Sequence, residues 1–273
     1  MAKVSILLAT YNRAGLIKAA VESVKKQSFQ DWEIIVADDG STDSTPEVVA
    51  GLAKDESRII YTRSDINQGI SKNYNRGLKI AKGEYIAMLD DDDIWSDHDK
   101  LEKQVEFLDK NPEYVGCGGG VIVIDENGGE IYKYLKPETD EEIRKKMLFG
   151  NPMANSTTVF RKSAGEKVGW YDETTRYSGD RDFWLKMGLI GKLYNFPEYF
   201  SYYLLSNDNT SVKRARPHLK ASLMIMERYK DKYPGYLPAL VFNRLQYFYA
   251  FLPEIVRRKI HPALARIKRK LAG

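Results

Sequence analysis

Three short apolar runs in this chain each end abruptly in a polar cluster. Lys3–Ala9 leads into Thr10-Tyr11-Asn12-Arg13, Trp32–Ala37 into Asp38-Asp39-Gly40-Ser41, and Glu84–Leu89 into Asp90-Asp91-Asp92-Asp93. Runs of this length suit buried parallel strands. Between them, Ala14–Lys26 sets Leu16, Ile17, Ala20, Val21 and Val24 on one helical face. Ser44, with Pro46 in the first turn and Glu47 three residues on, predicts a capping-box start for a helix through Ala53. Arg58–Thr62 reads as another strand, Asn67-Gln68-Gly69 as a turn and Ile70–Ala81 as a third helix. Strand and helix alternate in this way to about residue 110. The pattern means βαβ units and a parallel sheet with helices on both faces.

In such a sheet, ligands bind outside the carboxyl ends of the strands, where all three polar clusters fall. The acidic cluster is the most pointed of them. Four adjacent carboxylates repel one another, and a solvated turn would not be set between an apolar strand and Ile94-Trp95. Hard divalent cations take oxygen ligands, and Mg²⁺ commonly uses one or two carboxylates together with substrate phosphates. The cluster therefore points to a metal–diphosphate site. The sequence has neither G-x-G-x-x-G entering a helix nor G-x-x-x-x-G-K-[ST], which excludes a dinucleotide fingerprint and a P-loop.

The second half breaks the alternation. Tyr114–Asp125 is strand-like around Gly118-Gly119-Gly120, which mark a bend or a close approach. A hairpin turn at Asp125–Gly128 returns through Glu130–Tyr134, a helix is expected at Glu141–Leu148, and a strand at Thr157–Arg161. Further on, Phe183, Trp184, Met187 and Leu189 make an apolar helix face with Asp180 and Asp182 at its start. An Asp there is either a cap or a reactive group.

Charge divides the chain unevenly. Residues 213–273 hold 15 Lys and Arg against 3 Asp and Glu, a net +12, so the rest carries −8 of the chain's +4. An acidic body with a basic tail argues against nucleic acid as a partner and for an anionic surface met by the tail. Tyr236–Val256 is rich in Leu and aromatics, but Asn243, Arg244, Gln246 and Glu254 interrupt it. It is too polar to span a bilayer, which takes about 20 apolar residues. It reads either as an amphipathic helix on a membrane or as one packed on the body or on a dimer partner. The single Cys117 fits a reducing compartment. The apolar start runs straight into Thr10-Tyr11-Asn12-Arg13, as a first strand rather than a signal segment does.

Taken together, these residues resemble the family 2 glycosyltransferases, with the likeness running from Lys3 to about Ser211. It is carried by Val4–Arg13, Asp38–Asp43, Asn67-Gln68-Gly69, Gly83-Glu84-Tyr85, Leu89–Trp95, Gly169–Glu173 and Asp180. The resemblance implies an A-type fold: an α/β domain with a mostly parallel nucleotide-binding sheet flanked by helices (1–110) and a mixed acceptor-side region (111–212); the basic, aromatic-rich C-terminal helical appendage (213–273) lies outside it. It implies an inverting, single-displacement enzyme that moves one sugar from a nucleotide-diphosphate sugar, UDP-linked by preference, to a glycan or other acceptor hydroxyl; the basic tail adds the expectation that this acceptor is lipid-linked. Ala9, Thr10, Tyr11, Arg13, Asp39 and Lys72 would hold the nucleotide, with Thr10, Tyr11 and Asp39 at the base. Asp90 and Asp91 would face the ribose and diphosphate, Asp92 would bind Mn²⁺ or Mg²⁺, and Asp180 would deprotonate the acceptor.

This sequence departs from the family pattern in places. Gly179 stands where Glu is frequent, and Tyr74 where Arg is, leaving Lys72 to supply positive charge. Leu204 and Ser206 occupy positions where Arg and His are common, and Q-x-x-R-W is absent, so transfer of single sugars is expected. Two other readings stay open at this point, a sugar nucleotidyltransferase and a non-catalytic sugar-nucleotide-binding scaffold. The first needs a Gly-rich basic loop after the first strand, which Ala9–Arg13 is not; the second sits poorly with Asp39, Asp92 and Asp180 all present. The expected setting is the cytoplasmic, inner face of the cell membrane, with a homodimer as a further option.

Overall fold

The computed structural model describes residues 2–206 and 214–252. Strands β1 (Val4–Thr10), β2 (Trp32–Asp38), β3 (Ile59–Arg63) and β4 (Tyr85–Asp90) form a parallel block in the order β3-β2-β1-β4. Helices α1 (Ile17–Lys25), α2 (Thr45–Asp55) and α3 (Ile70–Ile80) connect them. The order reverses between β1 and β4, which makes their carboxyl ends the switch point where a crevice opens. Alternate residues of β1 serve two cores. Ile6 and Leu8 pack with α1 and with α4 (Lys100–Lys110), while Leu7 and Ala9 pack toward α3. Burial on both faces is why these strands read as unbroken apolar runs.

The second half adds mixed pairing. The path continues β4-β8-β6-β9-β5, with β7 (Glu130–Tyr134) paired to β6. Here β5 is Asp93–Trp95, β6 Tyr114–Ile124, β8 Val159–Arg161 and β9 Lys192–Leu204. β8 runs antiparallel to β4 and β6, β9 parallel to β6, and β5 antiparallel to β9. Only Asp91 and Asp92 separate β4 from β5, yet the two strands lie at opposite ends of this path. The sheet must therefore curl until its far edge returns beside β4. The triple glycine of β6 allows part of this. A Cβ at Gly118 would lie 2.6 Å from Asn195 Oδ1 and one at Gly119 2.5 Å from Phe200 Cδ2, and the β6–β9 register shifts at this point.

Several local expectations need correction. Ser44 does not cap α2 through its side chain; the Asp43 carboxylate accepts the Thr45 amide instead, at 3.0 Å. The full capping box stands at α5 (Asp140–Lys146), between Thr139 and Glu142, so that helix starts earlier and ends sooner than expected. Residues 155–157 form a 3₁₀ turn, which shortens the strand expected from Thr157. A short α6 (Lys162–Lys167) follows β8. In α7 (Gly179–Ile190) Phe183, Trp184 and Met187 are buried, but Leu189 is exposed.

The chain then forms α8 (Ala215–Arg228) and α9 (Tyr236–Tyr249). Ile225, Met226, Tyr233 and Ala239 belong to the same core cluster as α3 and α7, so one side of this helical pair packs on the body. Among the described residues, no helix is long and apolar enough to cross a membrane. The stretches around Asn207-Asp208-Asn209 and beyond Leu252 lie outside the described residues.

Lys100 is fully buried at the start of α4. Its Nζ donates to Gln104 Oε1 at 2.8 Å and lies 4.0 Å from the centroid of the Trp95 ring. Burial pulls its pKa from 10.5 down to about 7. Between those values the unfolded chain binds a proton that the folded chain does not, so stability rises with pH through this window and the penalty is fullest below it. Lys100→Met is expected to flatten that rise. Urea unfolding midpoints at about pH 7 and about pH 10 test this, and a slope equal to the wild type's would contradict it.

Candidate active site

The loops after β1 and β2 are latched to each other. Asn12 adopts a left-handed conformation (φ 54°), which Asn tolerates better than most residues. Its Oδ1 accepts the Thr42 amide at 2.7 Å, and its own amide donates to Ser41 Oγ at 2.9 Å. Arg13's amide donates to Thr45 Oγ1. Ala9 pairs with Ala37 and Asp90 in the sheet centre, Thr10 is buried at the strand end, and Tyr11 is exposed.

The two neighbouring acids of the second cluster divide the work. Asp38 is fully buried and accepts from the Ser41 amide and hydroxyl and from Tyr61 Oη at 2.6–2.8 Å. It shapes the turn. Asp39 reaches across to the loop before α3, where its two oxygens accept the Gln68 amide at 2.9 Å and the Gly69 amide at 2.8 Å. Gly40 between this turn and the loop has φ 81°, and a Cβ there would meet Ile66 backbone at 2.8 Å. Lys72, exposed at the start of α3, lines a cleft of about 220 Å³ together with Gly69, Glu173 and Arg176.

The third cluster is crowded. Burial first, and then the charge of Asp92, push Asp90 up to about 6 and Asp91 up to about 7. Burial raises Asp92 as well, opposed by Arg13, whose Nη2 is 3.8 Å from Asp92 Oδ2. Asp93 is the structural member: it opens β5 and accepts from Ser156 Oγ at 2.5 Å, and burial holds its pKa well above the carboxylate range. Asp91 Oδ2 and Asp93 Oδ1 are buried oxygens without a hydrogen-bond partner among the described residues. Among the described residues, no three or more acidic, His or Cys groups converge into an all-protein metal cage. The donor set nevertheless fits Mg²⁺ or Mn²⁺, because such ions are commonly held by one or two carboxylates plus substrate phosphates.

Asp180 sits half-buried in the first turn of α7, and its Oδ2 accepts from Asn151 Nδ2 at 2.8 Å. Ser178 before it is left-handed (φ 57°). A Cβ on Gly179 would lie 2.7 Å from Ser71 Oγ, and that contact favours glycine at a position where the resemblance expects Glu. Asp182 differs from Asp180 in kind. It is buried, accepts from Tyr229 Oη at 2.9 Å, and lies 3.6 Å from Lys186 and 3.7 Å from Arg228. It holds α8 to the body.

The structure brings the third cluster and Asp180 to one place through Tyr74, which the sequence marks only as a departure from the family pattern, and through Asn151 and Asn155, which the sequence does not single out. Tyr74 Oη donates to Asp90 Oδ1 at 2.7 Å, and Asn155 Nδ2 reaches the same oxygen at 3.0 Å. Asn151 and Asn155 therefore fasten Asp180 and Asp90 from a single loop. The Tyr74 and Tyr171 rings lie 4.8 Å apart, and beyond the effect of burial both phenols are raised by the charges of Asp90 and Asp180. His218 of α8 lies at the start of α7, with Nδ1 3.4 Å from Ser178 Oγ and its ring 4.8 Å from that of Tyr177. Burial lowers its pKa against the opposing charge of Asp180. Asparagines in a loop carry no periodic signal; only their position before a strand leading to the acidic cluster could have drawn notice.

The sequence matches Glycosyl transferase family 2 over residues 5–169. The fold is similar to that of S. aureus TarS 1-349 in complex with UDP-GlcNAc, with a TM-score of 0.69 at 18% identity over 96% of this chain and 78% of that one. It is also similar to that of the mannosyltransferase PcManGT from Pyrobaculum calidifontis in complex with GDP-Man and Mn²⁺, with a TM-score of 0.65 at 16% identity over 99% of this chain and 83% of that one. In sequence the chain is 30% identical over 234 residues to the GalNAc(5)-diNAcBac-PP-undecaprenol beta-1,3-glucosyltransferase of Campylobacter jejuni, covering 83% of this chain and 73% of that one. The chain belongs to glycosyl transferase family 2, has the A-type fold and is a glycosyltransferase.

The two acids of α7 can be separated by experiment. Asp182→Asn removes the charge that Lys186, Arg228 and Tyr229 face in a buried setting, at a cost of about 1–3 kcal/mol. Asp180→Asn is expected to change stability by no more than about 0.5 kcal/mol. Thermal midpoints of the two variants check this, and equal losses would refute the division.

Proposed function

We propose that this glycosyltransferase inverts the anomeric centre of a UDP-sugar in one displacement, with Asp180 as the base. The observation that carries the reading is the convergence of Asp180 and Asp90 on the Tyr74–Tyr171 pair, with the charge of Asp92 acting on Asp90. The acceptor hydroxyl oxygen attacks the anomeric carbon, the bond from that carbon to the diphosphate oxygen breaks, and the diphosphate leaves with the electron pair. The acceptor's proton passes to Asp180, whose Oδ2 is already held by Asn151. Attack opposite the leaving group inverts configuration.

On the donor side, Ala9, Thr10, Tyr11 and Asp39 form the base pocket. Each Asp39 oxygen accepts one backbone amide and keeps a lone pair for an N–H of the base. The exposed Tyr11 ring is available for stacking. Asp90 and Asp91 line the ribose and diphosphate path, and Arg13 and Lys72 bring positive charge to it. Asp92 would hold Mn²⁺ or Mg²⁺, which when bound neutralises charge developing on the departing diphosphate. The preference for UDP draws support from the fold shared with a UDP-GlcNAc-bound protein, and the metal from the fold shared with a Mn²⁺-bound one. A lipid-linked glycan as acceptor, met at the inner face of the cell membrane, draws support from the undecaprenol-linked substrate in the Campylobacter relative's name and from the basic tail.

Two outcomes test this reading. Asp180→Asn should keep donor affinity in calorimetry while transfer falls roughly 10²-fold or more; a wild-type rate would remove Asp180 from the mechanism. Chelation with EDTA should abolish transfer, and Asp92→Ala should weaken calorimetric binding of UDP in the presence of Mn²⁺ without lowering the thermal midpoint. A panel of UDP-, GDP- and dTDP-sugars titrated with Mn²⁺ then identifies the donor, and tighter binding of a GDP- or dTDP-sugar would overturn the UDP assignment.

A further inference from the structure

Helix α9 has two unlike faces. Ala239, Phe242 and Asn243 are buried; Asn243 Nδ2 donates to Leu148 O at 3.1 Å, which ties the helix to the body. On the other side, Leu237, Val241, Leu245 and Phe248 follow one another at intervals of four, four and three residues. They are 71%, 60%, 58% and 65% exposed. Phe251 and Leu252 extend the exposed apolar surface past the helix end, Arg216 lies over the Phe251 ring at 4.4 Å, and Arg244 is exposed on the same helix. Folding accounts for the inner face alone. A contiguous row of large apolar side chains left in water marks a surface meant for a partner.

Charge selects among the partners. The sequence beyond Leu252 contains Arg257, Arg258, Lys259, Arg266, Lys268, Arg269 and Lys270 against a single acid, Glu254. A second copy of the chain would bring the same cations, Arg216 and Arg244, to the same face and be repelled. An anionic bilayer offers apolar depth for the exposed row and negative headgroups for Arg216 and Arg244 beside it. We propose that the outward face of α9 docks the enzyme on an anionic lipid bilayer, with Leu237, Val241, Leu245 and Phe248 inserted and Arg216 and Arg244 at the headgroups. This deepens, and rests on, the reading that the enzyme meets a lipid-linked acceptor at a membrane.

The docking helix is fastened to the helix that carries Asp180. Arg181, buried in α7, donates from Nη2 to Leu148 O at 2.6 Å, and its Nη1 lies 3.5 Å from Asn243 Oδ1 of α9 and 3.4 Å from Ser222 O of α8. Leu148 O thus receives both the guanidinium of α7 and the amide of α9. A protein seated through α9 presents its α7 acid in a fixed relation to the lipid surface.

The experiment is co-sedimentation of the full chain with vesicles of phosphatidylglycerol and phosphatidylcholine, against vesicles of phosphatidylcholine alone, at low and high salt. The full chain should bind the anionic vesicles, more weakly at high salt. The combined variant Leu237→Gln, Val241→Gln, Leu245→Gln, Phe248→Gln should lose tenfold or more of the binding that remains at high salt, with its thermal midpoint unchanged because these side chains face outward. Arg257→Gln, Arg258→Gln, Lys259→Gln should lose the salt-sensitive part. No vesicle binding by the wild type, or equal binding by the α9 variant, overturns the proposal. So does a dimer in sedimentation equilibrium that the α9 variant dissociates. Calorimetry with a UDP-sugar on the same proteins separates the two readings: vesicle binding lost with donor binding intact counts against docking alone, whereas donor binding absent throughout with vesicle binding intact counts against the UDP-sugar assignment alone.

Discussion

The geometry of the molecule turns on the two-residue connection between β4 and β5. Asp91 and Asp92 must carry the chain from the parallel block to the strand that closes the far end of the mixed sheet. That constraint curls the sheet, and it compresses four carboxylates into a buried corner at the switch point. Desolvation raises all four and the charges of neighbouring acids add to it at Asp90, Asp91 and Asp93, so the corner is costly as it stands. Such a corner suits a ligand that brings a cation and anionic oxygens together, because each then relieves the other.

Around this corner the protein uses neutral donors to fix its acids. Asn155, Tyr74 and Ser156 bond to Asp90 and Asp93, and Asn151 bonds to Asp180. A neutral amide holds a carboxylate in place without competing for its charge as a lysine or arginine would. Arg13 faces Asp92, while other cations serve architecture. Arg181 joins α7 to the C-terminal helices, and Arg228 and Lys186 flank Asp182. Asp180 and Asp182 lie two residues apart on α7 and differ mainly in what packs over them.

The C-terminal helices illustrate how one segment can satisfy two demands. Their inner side completes the core beside α3 and α7. The outer side of α9 keeps large apolar groups in water, beside the most basic part of the sequence. The sequence allowed a body-packed helix or a surface-bound one as alternatives. Opposite faces of one helix make room for both, because 3.6 residues per turn give each face its own residues.

What was legible from sequence was written at short range. Apolar runs on both-face-buried strands, helical spacing of Ile17, Ala20, Val21 and Val24, and polar clusters at strand ends all depend on neighbours within a few residues, and they specified the α/β block and the acidic corner. The capping of α2 failed at the same range: the Ser44 side chain makes no cap hydrogen bond, and Asp43 holds the Thr45 amide at the helix start. The rest depended on contacts between residues far apart in the chain. That Asp182 is an anchor was decided by Tyr229, that Gly179 is small by Ser71, and that Asp180 is held by Asn151. Strand β9 was missed because its register shifts and Pro197 blur the alternation that would announce it. A periodic pattern can reveal which face of an element is buried; only the packed structure decides which distant side chain will meet it there.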